Sequence, residues 1–106
     1  MLKLSCLSLA LLMVSVSALA EGPVVVSQKG KVFTPGEITI PVGATVRIMN
    51  DDRVLHHVYI ESPEFNFDSG EQPPGRSVDI KFAKDGTFAV RCDIHPKMLM
   101  KVHVRK

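Results

Sequence analysis

The sequence has no tryptophan, one tyrosine and two cysteines, and its formal charge of +2 at pH 7 is close to balance. A chain so nearly neutral carries no basic footprint for nucleic acid. At 106 residues it also has no room for a second domain. Past residue 20 leucine nearly vanishes: seven of the nine lie in residues 1 to 20, and only Leu55 and Leu99 follow. The remainder holds 12 Val, 6 Ile and 4 Thr, which argues against helices and for strands. No apolar run reaches the roughly 20 residues that a bilayer-spanning helix requires.

What is present divides at Ala20. Lys3 gives a positive start, Leu7 to Leu19 is apolar apart from serines, and Ala18-Leu19-Ala20 is a small-x-small site before Glu21. This is the pattern of a secretory signal peptide over residues 1–20, with residues 21–106 as the mature chain. A lipid anchor through Cys6 does not fit, because the apolar stretch follows that cysteine instead of preceding it. Loss of the leader removes Lys3 and Cys6, leaving a net charge of +1 and one thiol, Cys92. An unpaired cysteine in an exported, oxidising compartment needs a chemical reason.

Period-two alternation and turn residues predict strands over Val24–Ser27, Lys31–Phe33, Glu37–Ile40, Thr45–Met49, His56–Ile60, Ser77–Phe82, Thr87–Cys92 and Leu99–Val104. So many short strands predict an all-β sandwich. Asp85-Gly86 reads as a hairpin-like turn. The longest loop is expected between Glu61 and Arg76, with Phe65 and Phe67 packing part of it down.

The chemistry concentrates in Cys92-Asp93-Ile94-His95-Pro96-Lys97-Met98, where a thiolate, an imidazole and a thioether fall within seven residues. Soft sulfur with imidazole is a copper ligand set, since sulfur suits Cu(I) and nitrogen suits Cu(II). Parity along the strands selects partners. Cys92 shares a face with Phe88 and Val90, and His56 shares one with Val58 and Ile60, so both point inward; a one-residue slip would select His57 instead. Met98 lies in the loop with His95, whereas Met100 alternates with Val102 and Val104 as a core residue. His103, between Lys101 and Arg105, reads as a surface histidine.

In these residues the sequence resembles the cupredoxins, small blue copper proteins, and within them the amicyanin and plastocyanin group. The resemblance runs in order through Phe33-Thr34-Pro35, Ile38 to Ile40, Gly43 to Val46, Asn50, His56 to Val58, Gly86 and Cys92 to Met98. Its strongest part is C-x-x-H-P-x-M, a short ligand loop similar to that of amicyanin; Met100 satisfies the longer plastocyanin spacing and stays open as an axial choice. The resemblance implies an eight-strand Greek-key β-sandwich over residues 21–106. It also implies one type 1 copper on His56, Cys92, His95 and a weak axial Met98, and single-electron carriage without catalysis. The leader implies a periplasmic chain free of the membrane once cleaved, the near-neutral charge a chain free of nucleic acid, and the resemblance a monomer that docks a redox partner such as a dehydrogenase or c-type cytochrome near His95, with Pro96, Leu99 and Leu55 alongside. His57 and Asp93 replace family residues that bond each other, so a His57–Asp93 pair bracing the ligand loops is expected.

Other readings of the same residues are a copper-delivering or sequestering protein, a zinc module and a catalyst. A mature chain with only three methionines suits delivery poorly, and a Cys-His-His-Met set suits zinc poorly. Four histidines without an H-x-H pair do not assemble a multicopper cluster. A nucleophilic cysteine wants exposure, which the inward end of an apolar strand does not give.

Overall fold

β-Branched residues at alternate positions give each strand one apolar face, and the computed structural model, which describes residues 22–106, closes these faces on one another. The signal peptide expected over residues 1–20 lies outside the described residues. Nine strands follow in order: β1 (Val24–Lys29), β2 (Val32–Thr34), β3 (Glu37–Pro41), β4 (Thr45–Asn50), β5 (Val58–Ile60), β6 (Phe67–Asp68), β7 (Ser77–Lys81), β8 (Gly86–Cys92) and β9 (Leu99–Arg105). They form a four-stranded sheet, β2-β1-β4-β7, and a five-stranded sheet, β3-β9-β8-β5-β6. The β1–β4 and β3–β9 pairs are parallel and the others antiparallel.

The all-β sandwich agrees with the sequence reading, with two local differences. The ninth strand is β6, two residues from the segment expected to be loop; it pairs Tyr59 with Asp68 and Ile60 with Phe67. The Asp85-Gly86 turn does not close a hairpin. It carries the chain from β7 in one sheet to β8 in the other, with Gly86 at a φ of 141° that side-chain-bearing residues rarely adopt.

The core lies between the sheets. Val26, Val46, Ile48 and Ile80 from the smaller sheet meet Ile40, Val58, Ile60, Phe88, Val90, Val102 and Val104 from the larger. Phe65 packs edge-on against Phe82 and Phe88 at 5.5 and 5.7 Å between centroids, which draws the 61–76 segment onto the core. One tight turn bears on the site. Lys29 pairs with Val32, so Gly30 and Lys31 alone join β1 to β2, at φ of 63° and 58°. Two consecutive positive φ values match a two-residue hairpin turn whose twist suits the flanking strands, although lysine is an unusual occupant.

Candidate metal centre

Cys92 ends β8, where parity points its side chain into the sandwich, and it is 1% exposed. Opposite it on β5 is Val58, so the residues just before Val58 approach the sulfur. His56 precedes β5 and is held by an isolated bridge to Gln72; its side chain is wholly buried. His95 sits in the loop between β8 and β9 and is half-buried. The fold thus brings residues 36 and 3 positions from Cys92 to one point: Nδ1 of His56 and Nδ1 of His95 each lie 3.6 Å from Cys92 Sγ. The three ligand atoms all fall within 4.8 Å of one another, the one such group of His, Cys or acidic residues among the described residues.

This arrangement poses a question of protons. A thiol has one hydrogen, and two imidazole nitrogens face it at equal distance. The His56 tautomer is set on its far side, where Nε2 donates to Asp52 Oδ2 at 2.7 Å, leaving the Nδ1 lone pair turned to the sulfur. A shared cation satisfies all three groups. Bonds of about 2.3 Å to sulfur and about 2.05 Å to nitrogen, meeting near a tetrahedral angle, set the two donors about 3.6 Å apart. The residues therefore fit one metal ion, and one thiolate with two imidazoles suits copper.

The surroundings favour the ligating forms. The His57 amide donates to Cys92 Sγ at 3.4 Å, which stabilises charge on sulfur. Burial, with the nearby His56 and Lys31, lowers the His95 pKa, and Asp52 opposes this only weakly, which favours the neutral, ligating form of the ring. Asp52 does more than orient His56. Its carboxylate accepts from the Gly30 and Lys31 amides at 2.5 and 2.9 Å, capping the unusual β1–β2 turn. Burial works against its charge, but the Lys31 amide, the His56 ring and the Gly30 amide outweigh it and hold the carboxyl below its usual range.

Met98 is 2% exposed and lies in the ligand loop, its amide donating to the His95 carbonyl at 2.9 Å. Met100 is fully buried in β9, paired with Val90 in the body of the core. The expected His57–Asp93 side-chain pair does not form. His57 Nε2 bonds Asp68 Oδ1 at 2.5 Å, because β6 places Asp68 beside β5, and the loops are tied instead by the Asp93 amide donating to the His57 carbonyl at 2.9 Å. Neither Asp52 nor Gln72 was singled out from sequence. Asp52 carried a usable signal, an acid four positions before a candidate ligand; Gln72 carried none.

The cupredoxin-like domain family model matches residues 4–104. A copper-containing nitrite reductase (NirK) from Thermus scotoductus SA-01 superposes with a TM-score of 0.73 at 29% identity, over 80% of this chain. The chain spans only 23% of that enzyme's length. A reduced amicyanin variant gives a TM-score of 0.74 at 26% identity, covering 82% of this chain and 86% of that one. A purple cupredoxin from Nitrosopumilus maritimus shares the fold, with a TM-score of 0.70 at 23% identity over 77% of this chain and 99% of its own. No curated protein sequence matches the chain.

Proposed function

The chain belongs to the cupredoxin-like family, and we propose that it is an exported carrier of single electrons, with His56, Cys92 and His95 as copper ligands and Met98 as a weak axial one. The observation that carries the reading is one buried sulfur equidistant from two imidazole Nδ1 atoms. Copper bound there supplies a Cu(I)/Cu(II) couple. The chain's part is to hold donors acceptable to both oxidation states, to keep water from the sulfur by burying Cys92 and His56, and to tune the couple through the His57 amide. A carrier and not a catalyst is the simpler assignment, because the site's reactive groups are all engaged as ligands.

His95 is the ligand nearest solvent and offers the path for the electron. Val54, Ile94 and Leu99 are exposed on the segments that bear the ligands, and Val54 lines a shallow concavity with Lys29, Lys31, Arg53, Asp51 and Asp52. Exposed apolar side chains on the ligand-bearing segments, with charges of both signs beside Val54, suit transient docking of a redox protein, such as a dehydrogenase or a c-type cytochrome, against a monomer. The leader pattern puts this exchange in the periplasm, with residues 21–106 as the working domain.

Titration of the purified mature protein with Cu(II) tests the reading. The expected result is one equivalent bound with an intense visible band from cysteine-to-copper charge transfer and a reversible one-electron couple. Tight colourless binding, or copper handed readily to an apo-acceptor with sluggish electron exchange, overturns it in favour of storage or delivery.

A further inference from the structure

Gln72 lies outside every strand, in the turn-rich stretch between β6 and β7, yet it is 3% exposed. A buried amide away from any ladder requires partners. Its backbone exchanges both hydrogen bonds with His56: the Gln72 amide donates to the His56 carbonyl at 2.7 Å, and the His56 amide donates back at 3.0 Å. The Gln72 carbonyl also accepts from Asn50 Nδ2 at 2.8 Å. In the side chain, Nε2 donates to the carbonyls of Ile48 and Arg76 at 3.0 and 2.9 Å, and Oε1 accepts from Gln28 Nε2 at 2.7 Å. One residue thus joins the main chain of His56 to β1 and β4 of the four-stranded sheet, while the His56 ring faces Cys92 of the five-stranded sheet.

Gln28 shows what this connection costs. The two carbonyls facing Gln72 Nε2 fix the orientation of the Gln72 amide, so Oε1 must meet a donor, and Gln28 turns its Nε2 to supply one. Gln28 is fully buried, and its Oε1 is left as the one buried side-chain polar atom without a partner among the described residues. An amide bonded through its donor and orphaned at its acceptor is retained for the donor.

We propose that Gln72 is a positioning residue for electron transfer, clamping both main-chain polar groups of His56 so that His56 Nδ1 keeps its place against Cys92 Sγ in either oxidation state. The inference rests on the carrier reading above. A two-bond bridge ahead of a three-residue strand frays unless something holds it; here the three Gln72 side-chain bonds anchor it to β1, β4 and Arg76, beside the single bond from Asn50 Nδ2 to the Gln72 carbonyl. Gln28 acts one step behind, by satisfying Gln72.

The test compares Gln72→Met, which keeps bulk and removes the three side-chain bonds, with Val104→Ala, a core deletion on β9 away from the site. Two quantities are read: amide hydrogen exchange at His56 in the metal-free mature protein, and electron self-exchange in the copper-loaded protein. In Gln72→Met, His56 exchange accelerates by about tenfold or more and self-exchange slows by about tenfold, whereas Val104→Ala lowers stability and leaves both quantities near wild type. Equal behaviour of the two variants overturns the proposal. If Gln72→Met does not fold, Gln28→Met decides: it leaves the backbone bridge and removes one bond, and a smaller shift of the same sign supports the clamp while no shift overturns it. A wild type lacking the charge-transfer band defeats the carrier reading alone, since exchange at His56 is read without metal and still judges the clamp.

Discussion

Three histidines in this fold hand a ring Nε2 to a carboxylate, His57 to Asp68 at 2.5 Å, His56 to Asp52 at 2.7 Å and His103 to Glu37 at 2.5 Å, and of the last two only His56 belongs to a metal centre. The difference lies in what the other nitrogen meets and how dry the place is. His103 Nδ1 faces the Thr87 hydroxyl at 3.0 Å on the outer face of the five-stranded sheet, and the Glu37 side chain is 64% exposed. His56 Nδ1 faces a buried thiol, and the Asp52 side chain is 12% exposed because it also caps the β1–β2 turn. A carboxylate–imidazole bond alone therefore marks no metal site. Burial and a second donor on the near side make one.

The contrast between the centre and the rest of the sandwich can be broken most severely at the methionines. Met100→Ala leaves a cavity in the body of the core between β8 and β9 and is expected to cost about 2–5 kcal/mol of stability, with the copper spectrum unchanged. Met98→Ala, which removes the proposed axial thioether, is expected to move the visible spectrum and the potential. Denaturant titration and spectra of the two variants check this. A spectral change in Met100→Ala with none in Met98→Ala reverses the axial assignment.

A smaller effect sharpens the comparison of the two histidine–carboxylate pairs directly. Asp52→Ala removes the group that fixes the His56 tautomer, and copper affinity is expected to fall about 10–100-fold. Glu37→Ala breaks a bond of the same kind on the outer face and leaves affinity unchanged. Competition with a copper chelator measures both, and equal affinities in the two variants sink the distinction.

The sequence was most legible where a side chain's role depends on its own strand. Alternation along β4, β8 and β9 separates Val46 and Ile48 from Arg47, Cys92 from Arg91, and Met100 from Lys101, since period two is a property of the chain and not of its neighbours. The same parity sets buried His56 apart from half-buried His57, even though β5 begins only at Val58. What was illegible depends on contacts between distant segments. The two-residue β6 has no pattern of its own, and its position beside β5 is what gives His57 to Asp68 and leaves Asp93 without it. The bond from Gln28 to Gln72 spans 44 positions and joins two residues that no local pattern marks. Asp85-Gly86 has the residues of a hairpin turn, but β7 pairs with β4, so the turn serves a change of sheet.

The weakest expected effect concerns the outer pair alone and reads its electrostatics without any metal. The bond from His103, together with the His103 charge and more weakly Lys101, holds the Glu37 carboxyl below its ordinary range against a small opposing effect of burial. A carboxylate whose pKa is depressed on folding stabilises the fold above its unfolded value, about 4.3, and loses that contribution as pH falls through the lower folded value. The window for Glu37 is therefore acidic. Replacing His103 with Ala removes the bond and the charge together, and the Glu37 midpoint followed by carboxyl NMR is expected to rise toward the ordinary glutamate value. An unmoved midpoint assigns the depression to Lys101 instead, and the outer histidine then has no electrostatic role to set against that of His56.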